Sequence, residues 1–479
     1  SDGKKKRGIN LYNPRVRKLF DKYLDALAGH IKDKWNDVIV GMDLESGYKF
    51  DLAGYDYSPF ADAEWQKWVK ARYGSVDKMN QAWGTKIAGW DKVEQPRERP
   101  KDSPRLALDW FSWREKYLAD YFEFQYRRLG KLLPDMLIGV RDEFRDQHGM
   151  FVRPEAAKDV HKIVRQASDI GMHGGMSAFL DDFLRGVSEG KWLYNWHTAI
   201  CFGSVTGQVM YTSFFKDVIG EYISGGAGGI LRHNYTWFLD RHMDRQIKID
   251  SIGSYFIPLR EMKYVAPQIL NTEVRSDIAV LWPKVSMKTG GSPAETEAIA
   301  MACILTYAGH TGDYLTEEQI NRGRLAKYKV LILPSARHLP AETVAKIREY
   351  VNNGGSLLAL TNSSLGATGK KFALADVYGA DHGGRIFWQP LGTVDKDKNF
   401  RILVSLPRNQ KGLFYARKIS KYWKSFHHYQ PRNGAKVIAV YPGGQAAAVK
   451  RRLHGMLQLH TTIHFCGVSP HPKSTKNRK

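Results

Sequence analysis

Residues 37–47 read D-V-I-V-G-M-D-L-E-S-G. The apolar run Val38-Ile39-Val40 leads directly into Asp43 and Glu45, and Gly41 and Gly47 bracket the turn. A continuous apolar run closed by turn residues is the pattern of a strand buried on both faces in a parallel sheet. Carboxylates at the C-terminal end of such a strand stand where α/β barrels carry their chemistry. Strand alternation puts Asp43 and Glu45 on one face, with Asp43 one layer deeper.

The same texture extends outward. Helical periodicity covers Val16–Ile31, Ala63–Tyr73, Val76–Trp83, Leu108–Leu133, Pro154–Ala167, Ala178–Val187, Phe214–Ser224 and Tyr255–Leu270. Strand patterns fall at Val38–Glu45, Met136–Val140, Asp169–His173, Lys191–Trp196 and Gly229–Tyr235. This alternation predicts a parallel β/α sheet with helices outside over 1–274; with five strands where a closed barrel takes eight, it is either an incomplete barrel of TIM type or an open sheet. The first of those strands is then expected to carry a bare edge.

From Arg275 the runs DIAVLW, YKVLILP and SLLAL alternate with helices at Ala294–Ala308 and Ala341–Asn352. They predict a flavodoxin-like doubly wound domain over 275–384. It carries no G-x-G-x-x-G turn and so no dinucleotide site. After Arg385 the pattern is β-rich, and a separate small β-domain with a basic tail is expected over 385–479.

The 479 residues carry 43% hydrophobic and 25% charged side chains, an ordinary globular composition. No apolar run reaches the length of a membrane span, so a membrane partner is not expected. The compartment stays open. The three cysteines, Cys201, Cys303 and Cys466, are too dispersed for a disulfide framework or a clustered metal site. The net charge is +23, concentrated in Lys4–Arg7, Lys450-Arg451-Arg452 and Lys473–Lys479. Basic ends of this kind are commonly solvated, and the competing reading is a polyanionic partner. Without a zinc-finger spacing or an RNP motif, nucleic acid is disfavoured against an anionic polysaccharide.

Several stretches resemble family 42 glycoside hydrolases, the β-galactosidase-like barrel enzymes. They are NLYNPRVRKLFDKYLDAL from Asn10, VGMDLESGY from Val40 and WQKWVKARYGSVDKMNQAWGT from Trp65, then Trp90-Asp91 and Leu108-Asp109-Trp110. The likeness resumes at KYKVLILPSARHLPAETVAKIREYVNNGGSLLAL, which is similar to the family's trimerisation domain, and continues in Ser363–Gly379 and GAKVIAVYPGGQAAAVKRRLHG. The resemblance implies a carbohydrate substrate, β-galactoside hydrolysis, a homo-trimer, and Glu45 as the general acid/base.

Departures from the family pattern are equally specific. Leu44 stands where the resemblance implies an Asn that bonds the sugar 2-hydroxyl. Tyr55–Pro59 replaces a zinc-binding cysteine cluster, so no metal or other cofactor is expected. The strand at Trp192–His197 lacks the carboxylate implied for the nucleophile, and Glu189 precedes that strand at the wrong end. A catalytically degenerate carbohydrate-binding or scaffold protein on the same fold is therefore the alternative.

Glycosidases use two carboxyl groups, about 5 Å apart when retaining and roughly 6.5–9.5 Å apart when inverting. Glu143, ending the strand after that of Glu45, is the candidate second carboxylate. Asp43, His173, Asn195, Trp196, His197, Asn234 and Tyr235, at or near predicted strand ends, are the candidate substrate-binding residues. Three histidines at a barrel mouth, with His233 the third, could bind zinc, but they lack the H-E-x-x-H type of spacing.

Overall fold

The computed structural model describes residues 12–39, 41–44, 56–142, 159–173, 178–191, 193–195, 227–230, positions 260, 263, 264 and 267, and residues 274–289, 294–360, 362–366, 369–387, 400–403, 413–416, 425–440, 446–453 and 456–461. Two compact units share the chain: Ser1–Arg275 with Met287–Gly290, and Ser276–Ser286 with Gly291–Lys479.

In the first unit the helices are α1 (Pro14–Lys34), α2 (Pro59–Tyr73), α3 (Val76–Trp83), α4 (Pro104–Leu132), α5 (Val160–Ala167) and α6 (Ala178–Val187). The strands are β1 (Gly41–Asp43), β2 (Leu137–Asp142), β3 (Ile170–His173), β4 (Leu193–Asn195) and β5 (Ala227–Ile230). Helices α1, α2 and α4 each start two to four residues before the apolar period does, and the reason is local. Asn13-Pro14, Ser58-Pro59 and Ser103-Pro104 each place a capping side chain before a proline at the first helical position. The Asn13 Oδ1 accepts from the Arg15 amide at 2.9 Å, and the Ser58 Oγ from the Ala61 amide at 3.2 Å. Gly74 and Gly84, both at positive φ, stop α2 and α3.

The five strands are parallel and lie in chain order, β1-β2-β3-β4-β5. This is the expected succession of βα units, although β1 is shorter than the predicted Val38–Glu45. Most of the helix predicted at Tyr255–Leu270, and all of that at Phe214–Ser224, lies outside the described residues.

Asp169, just ahead of β3, ties the sheet to α4. Its Oδ2 accepts from the Ile138 amide at 2.8 Å, and its Oδ1 accepts from the Tyr126 hydroxyl at 2.5 Å. Lys191, ahead of β4, donates its ammonium to the Val164 and Ser168 carbonyls, covering the C-terminal end of α5. Burial pushes the Lys191 ammonium below its ordinary range. The hydrogen bond to Asp169, followed by burial, pushes the Tyr126 phenol up to about 12. A phenol raised from about 10 favours the folded state while it is neutral. That contribution is complete below about pH 10 and is lost as pH rises toward about 12. Tyr126→Phe is therefore expected to give an unfolding midpoint that falls less steeply over this window. Parallel denaturant titrations of the two proteins measure the difference, and identical slopes would remove Tyr126 from the alkaline transition.

The second unit holds β6 (Ile278–Trp282), the first half of α7 (Lys284–Thr289, of which the residues from Met287 on belong to the first unit), α8 (Ala294–Tyr307), β7 (Asp313–Thr316), α9 (Glu317–Asn321), β8 (Val330–Leu333), α10 (Ala341–Asn352), β9 (Ser356–Leu360), α11 (Ala375–Tyr378) and β10 (Ala380–Phe387). Then follow β11 (Phe400–Leu403), β12 (Leu413–Ala416), β13 (Ser425–Pro431), β14 (Ala435–Val440), β15 (Ala446–Leu453) and β16 (Met456–Thr461). The main sheet runs β10-β13-β15-β16-β9-β8-β6-β7, with β14 beside β15. Its parallel part is apolar because both faces are covered: Ala279, Leu281, Leu315, Leu331, Leu333, Leu357 and Ala359 join one core on one face, and Val280, Tyr314 and Ile332 are buried on the other. Thr316 and Gln319 close a reciprocal capping box at the start of α9.

The expected boundary near 384 falls inside this sheet. β16 pairs in parallel with β9, and β15, β13 and β10 extend the sheet antiparallel. The described β-rich segment thus extends a shared sheet where a free-standing domain was predicted, and among the described residues β11 and β12 form a sheet apart. The charge run Lys450-Arg451-Arg452 belongs to β15, and so differs from the solvated basic ends with which the sequence groups it. Arg451 is half-buried and donates to the Asp376 carbonyl.

Candidate active site

The packing of β2 decides which face of the first sheet is which. Ile138 packs with Leu24, Ala28 and Ile31 of α1 and Leu129 of α4. Val140 packs with Leu118, Ala119 and Phe122 of α4 and Ile163 of α5. The even-numbered positions of β2 therefore face the helices. Gly139 and Arg141, by the two-residue period of a strand, occupy the opposite, lining face.

In register, Asp43 is the partner of Gly139, and Met42 that of Ile138. Asp43 therefore lies on the lining face, half-buried, at the C-terminal end of β1. Leu44 continues the pattern: its amide donates to the Gly139 carbonyl at 2.9 Å, and its side chain packs against both helix-side clusters. Leu44 is thus a packing residue, which accounts for an apolar side chain where the resemblance implies an amide. Glu45 itself lies outside the described residues, as do Glu143, Trp196, His197, Asn234 and Tyr235.

The backbone also places His173 and Asn195. Asp142 of β2, His173 of β3 and Asn195 of β4 are register partners in one row across the strand ends. Adjacent strands are about 4.8 Å apart, so the row brings His173 and Asn195 together. It does not bring them to Asp43. Asp142 is three positions beyond Gly139, an odd number, so the two rows belong to alternate faces. Among the described residues no group of three or more His, Cys, Asp or Glu side chains could hold a metal ion. No helix among them is long and apolar enough to cross a membrane. Glu189 lies in the turn before β4, at a φ of 56°, and its Oε1 is 2.9 Å from the Nε2 of the buried His161.

One densely bonded carboxylate of the first unit was not singled out from the sequence as a functional group. Asp109 is fully buried on α4. Its Oδ2 accepts from the Trp83 indole at 2.9 Å, from Arg105 Nε at 3.3 Å and from the Tyr73 hydroxyl. Its Oδ1 is 3.0 Å from Arg72 Nε. Burial, followed by the hydrogen bond to Asp109, pushes the Tyr73 phenol above its ordinary range. Around this hub Trp65 stacks between Trp68 and Trp83, with centroids 5.7 and 6.0 Å away. The run W-V-K-A-R-Y-G with A-W-G and L-D-W therefore encodes a helical clamp on one buried charge. Its recognisable residues hold α2, α3 and α4 together rather than carrying out chemistry.

Residues 3–198 match the family model of glycoside hydrolase family 42, described as beta-galactosidase. The beta-galactosidase BgaA of Planococcus sp. strain 'SOS Orange' is 23% identical over 192 residues, covering 37% of this chain and 27% of that enzyme. The chain thus aligns with about a quarter of the length of this curated relative. Among solved structures, a catalytic mutant of the GH42 beta-galactosidase Gan42B from G. stearothermophilus superposes with a TM-score of 0.75 at 15% identity, covering 94% of this chain and 69% of that one. An exo-carrageenase GH42 from Bacteroides ovatus superposes with a TM-score of 0.62 at 11% identity, covering 94% and 70%. At these identities the superpositions establish a shared TIM-barrel-containing α/β fold.

Proposed function

We propose that this chain, matched to glycoside hydrolase family 42 through residues 3–198, forms part of an enzyme hydrolysing β-galactosides. One observation carries the assignment to Glu45. The register of β1 on β2 puts Asp43 on the lining face at the strand's C-terminal end, and a two-residue period continued past the strand would give Glu45 the same face. Glu45 would protonate the leaving oxygen as an oxocarbenium-like transition state develops. Asp43, one layer below, would orient it. Glu143, two positions beyond the lining-face Arg141, is the second carboxylate of the proposal. Trp196, His197, Asn234 and Tyr235 would contribute to sugar binding, while His173 and Asn195, in a row alternate to that of Asp43, are left out of the proposed site.

The anionic character of the substrate belongs to the same proposal. A net charge of +23 and a carrageenase among the structural neighbours both support an anionic galactan. The second unit, with its order β7-β6-β8-β9-β16, is read as a flavodoxin-like assembly module supporting a homo-trimer. Turnover of a chromogenic β-galactoside tests the core of the proposal. Binding of a galactoside without turnover would favour the degenerate reading, which the absence of a carboxylate in Trp192–His197 supports. A sulfated galactan oligosaccharide is expected to bind more weakly as salt rises through the screening range, whereas its desulfated counterpart is not.

A further inference from the structure

The N-terminal half of α4 extends past the strand ends of the first sheet. Ile138 of β2 packs with Leu129, whereas Val140, two positions later, packs with Leu118, Ala119 and Phe122. The helix therefore runs antiparallel to β2, and its residues ahead of Leu118 lie beyond Val140, toward the C-terminal ends of the strands. There the Tyr117 hydroxyl donates to the Asp56 Oδ2 at 3.0 Å, and the Asp56 Oδ1 accepts from the Ser58 amide at 2.9 Å. Asp56 and Tyr57 are thereby fixed at the end of the sheet where Asp43 lies.

The segment from Val93 to Arg99 is tied to the same place. The Val93 carbonyl accepts from Gln66 at 3.2 Å, Gln95 donates to the Asp62 Oδ1 at 2.7 Å, and the Pro96 carbonyl accepts from the Tyr57 hydroxyl at 3.2 Å. Arg99 donates to the carbonyls of Met287 and Lys288, residues of this same unit, at 3.1 and 2.8 Å. Between these anchors the Arg97 guanidinium lies 4.2 Å from the centre of the Tyr57 ring. Arg99 and Arg114 also lie over rings, at 5.4 Å from Phe111 and 4.9 Å from Trp110, but Arg99 is engaged by carbonyls and Arg114 is buried. Arg97 differs from both. It is exposed, and among the described residues it makes no hydrogen bond or ion pair. The carboxylates of Asp56 and Asp62 are held by Tyr117, the Ser58 amide and Gln95 instead.

A guanidinium seated on an aromatic ring keeps its charge and its planar fork of donors in a set position. That fork matches the paired oxygens of sulfate or carboxylate. We propose that Arg97, seated on Tyr57, binds an anionic substituent, sulfate ester or carboxylate, of a galactan chain at the strand-end face of the first unit. The proposal rests on the anionic-galactan reading and gives it a residue. The anchored backbone on either side of Arg97 lowers the ordering cost of the grip. Arg97 thus acts on the choice of substrate, outside the proposed catalytic pair.

The test measures binding of the full chain to a sulfated galactan oligosaccharide, to its desulfated counterpart and to a carboxylated one, across a salt series. Arg97→Gln is expected to weaken an anionic ligand by roughly tenfold or more and to flatten its salt dependence, with the desulfated ligand unchanged. Arg97→Lys keeps the charge and loses the planar fork, so it should restore the salt dependence and only part of the affinity. Lys131→Gln, the same loss of charge at the other end of α4, should leave all three ligands unchanged. The Arg97 side chain is exposed, so the unfolding midpoint of Arg97→Gln is expected to stay put. Whichever anionic ligand loses affinity identifies the group that Arg97 reads. An anionic preference that survives in Arg97→Gln would overturn the inference alone. So would an equal loss in Arg97→Gln and Lys131→Gln, because net charge would then be the cause. If the unaltered chain binds all three ligands alike, the anionic-galactan reading falls and the inference falls with it. None of these readouts depends on galactoside turnover.

Discussion

Asp109→Ala is expected to destabilise the first unit by about 3 kcal/mol, the lower end of the range for removing one partner from a buried charge cluster. The change strips the carboxylate from Trp83, Tyr73, Arg105 and Arg72 together, and leaves the Trp83 indole as a buried donor without an acceptor. Arg72→Ala should cost far less, because the Arg72 side chain is 38% exposed and is only one of several partners. The clamp contains its own reporter: Trp65, Trp83, Trp110 and Trp113 are all buried in the same cluster. Tryptophan fluorescence followed through a denaturant titration reads this unit, and an unshifted midpoint in Asp109→Ala would refute the clamp. Galactoside turnover at a temperature where the variant remains folded should be nearly unaffected.

Glu45→Gln is expected to lower turnover of a β-galactoside with a poor leaving group by on the order of 10²-fold or more. The substitution keeps shape and hydrogen-bonding capacity and removes the transferable proton. A substrate whose leaving group needs little protonation should be affected much less, and that contrast separates an acid role from general damage. Asp43→Asn should cause a smaller loss with the same dependence on the leaving group, because in the proposed site Asp43 acts through Glu45. Equal turnover by Glu45→Gln and the unaltered protein would refute the assignment.

Local chemistry was readable from the sequence where it acts over a few residues. The end of α3 at Gly84 and the apolar strands of the second unit follow from side-chain type and spacing alone. The prolines at 14, 59 and 104 moved the helix starts earlier, because a cap acts outside the apolar period. Pairing partners were not readable. Alternation identifies Met456–Thr461 as a strand, but nothing in that period says that it lies beside β9, and a separate domain was expected as a result. The face of His173 was hidden for the same reason: it depends on the register of β3 on β2, which is set by contacts distant in sequence. Asp109 reads as one polar residue in an aromatic helix, and its partners are gathered only when α2 and α3 fold onto α4.

The position of β16 bears on how the protein is made. β9 emerges from the ribosome long before its neighbour on that side, and the two are joined only once Met456–Thr461 has been synthesised. Throughout the interval the nascent chain presents an apolar parallel edge, the kind of surface that pairs with other chains. Premature termination anywhere between β9 and β16 should therefore produce polypeptides that depend on chaperones and are cleared rapidly. The last strand would act as the checkpoint for completing the second unit.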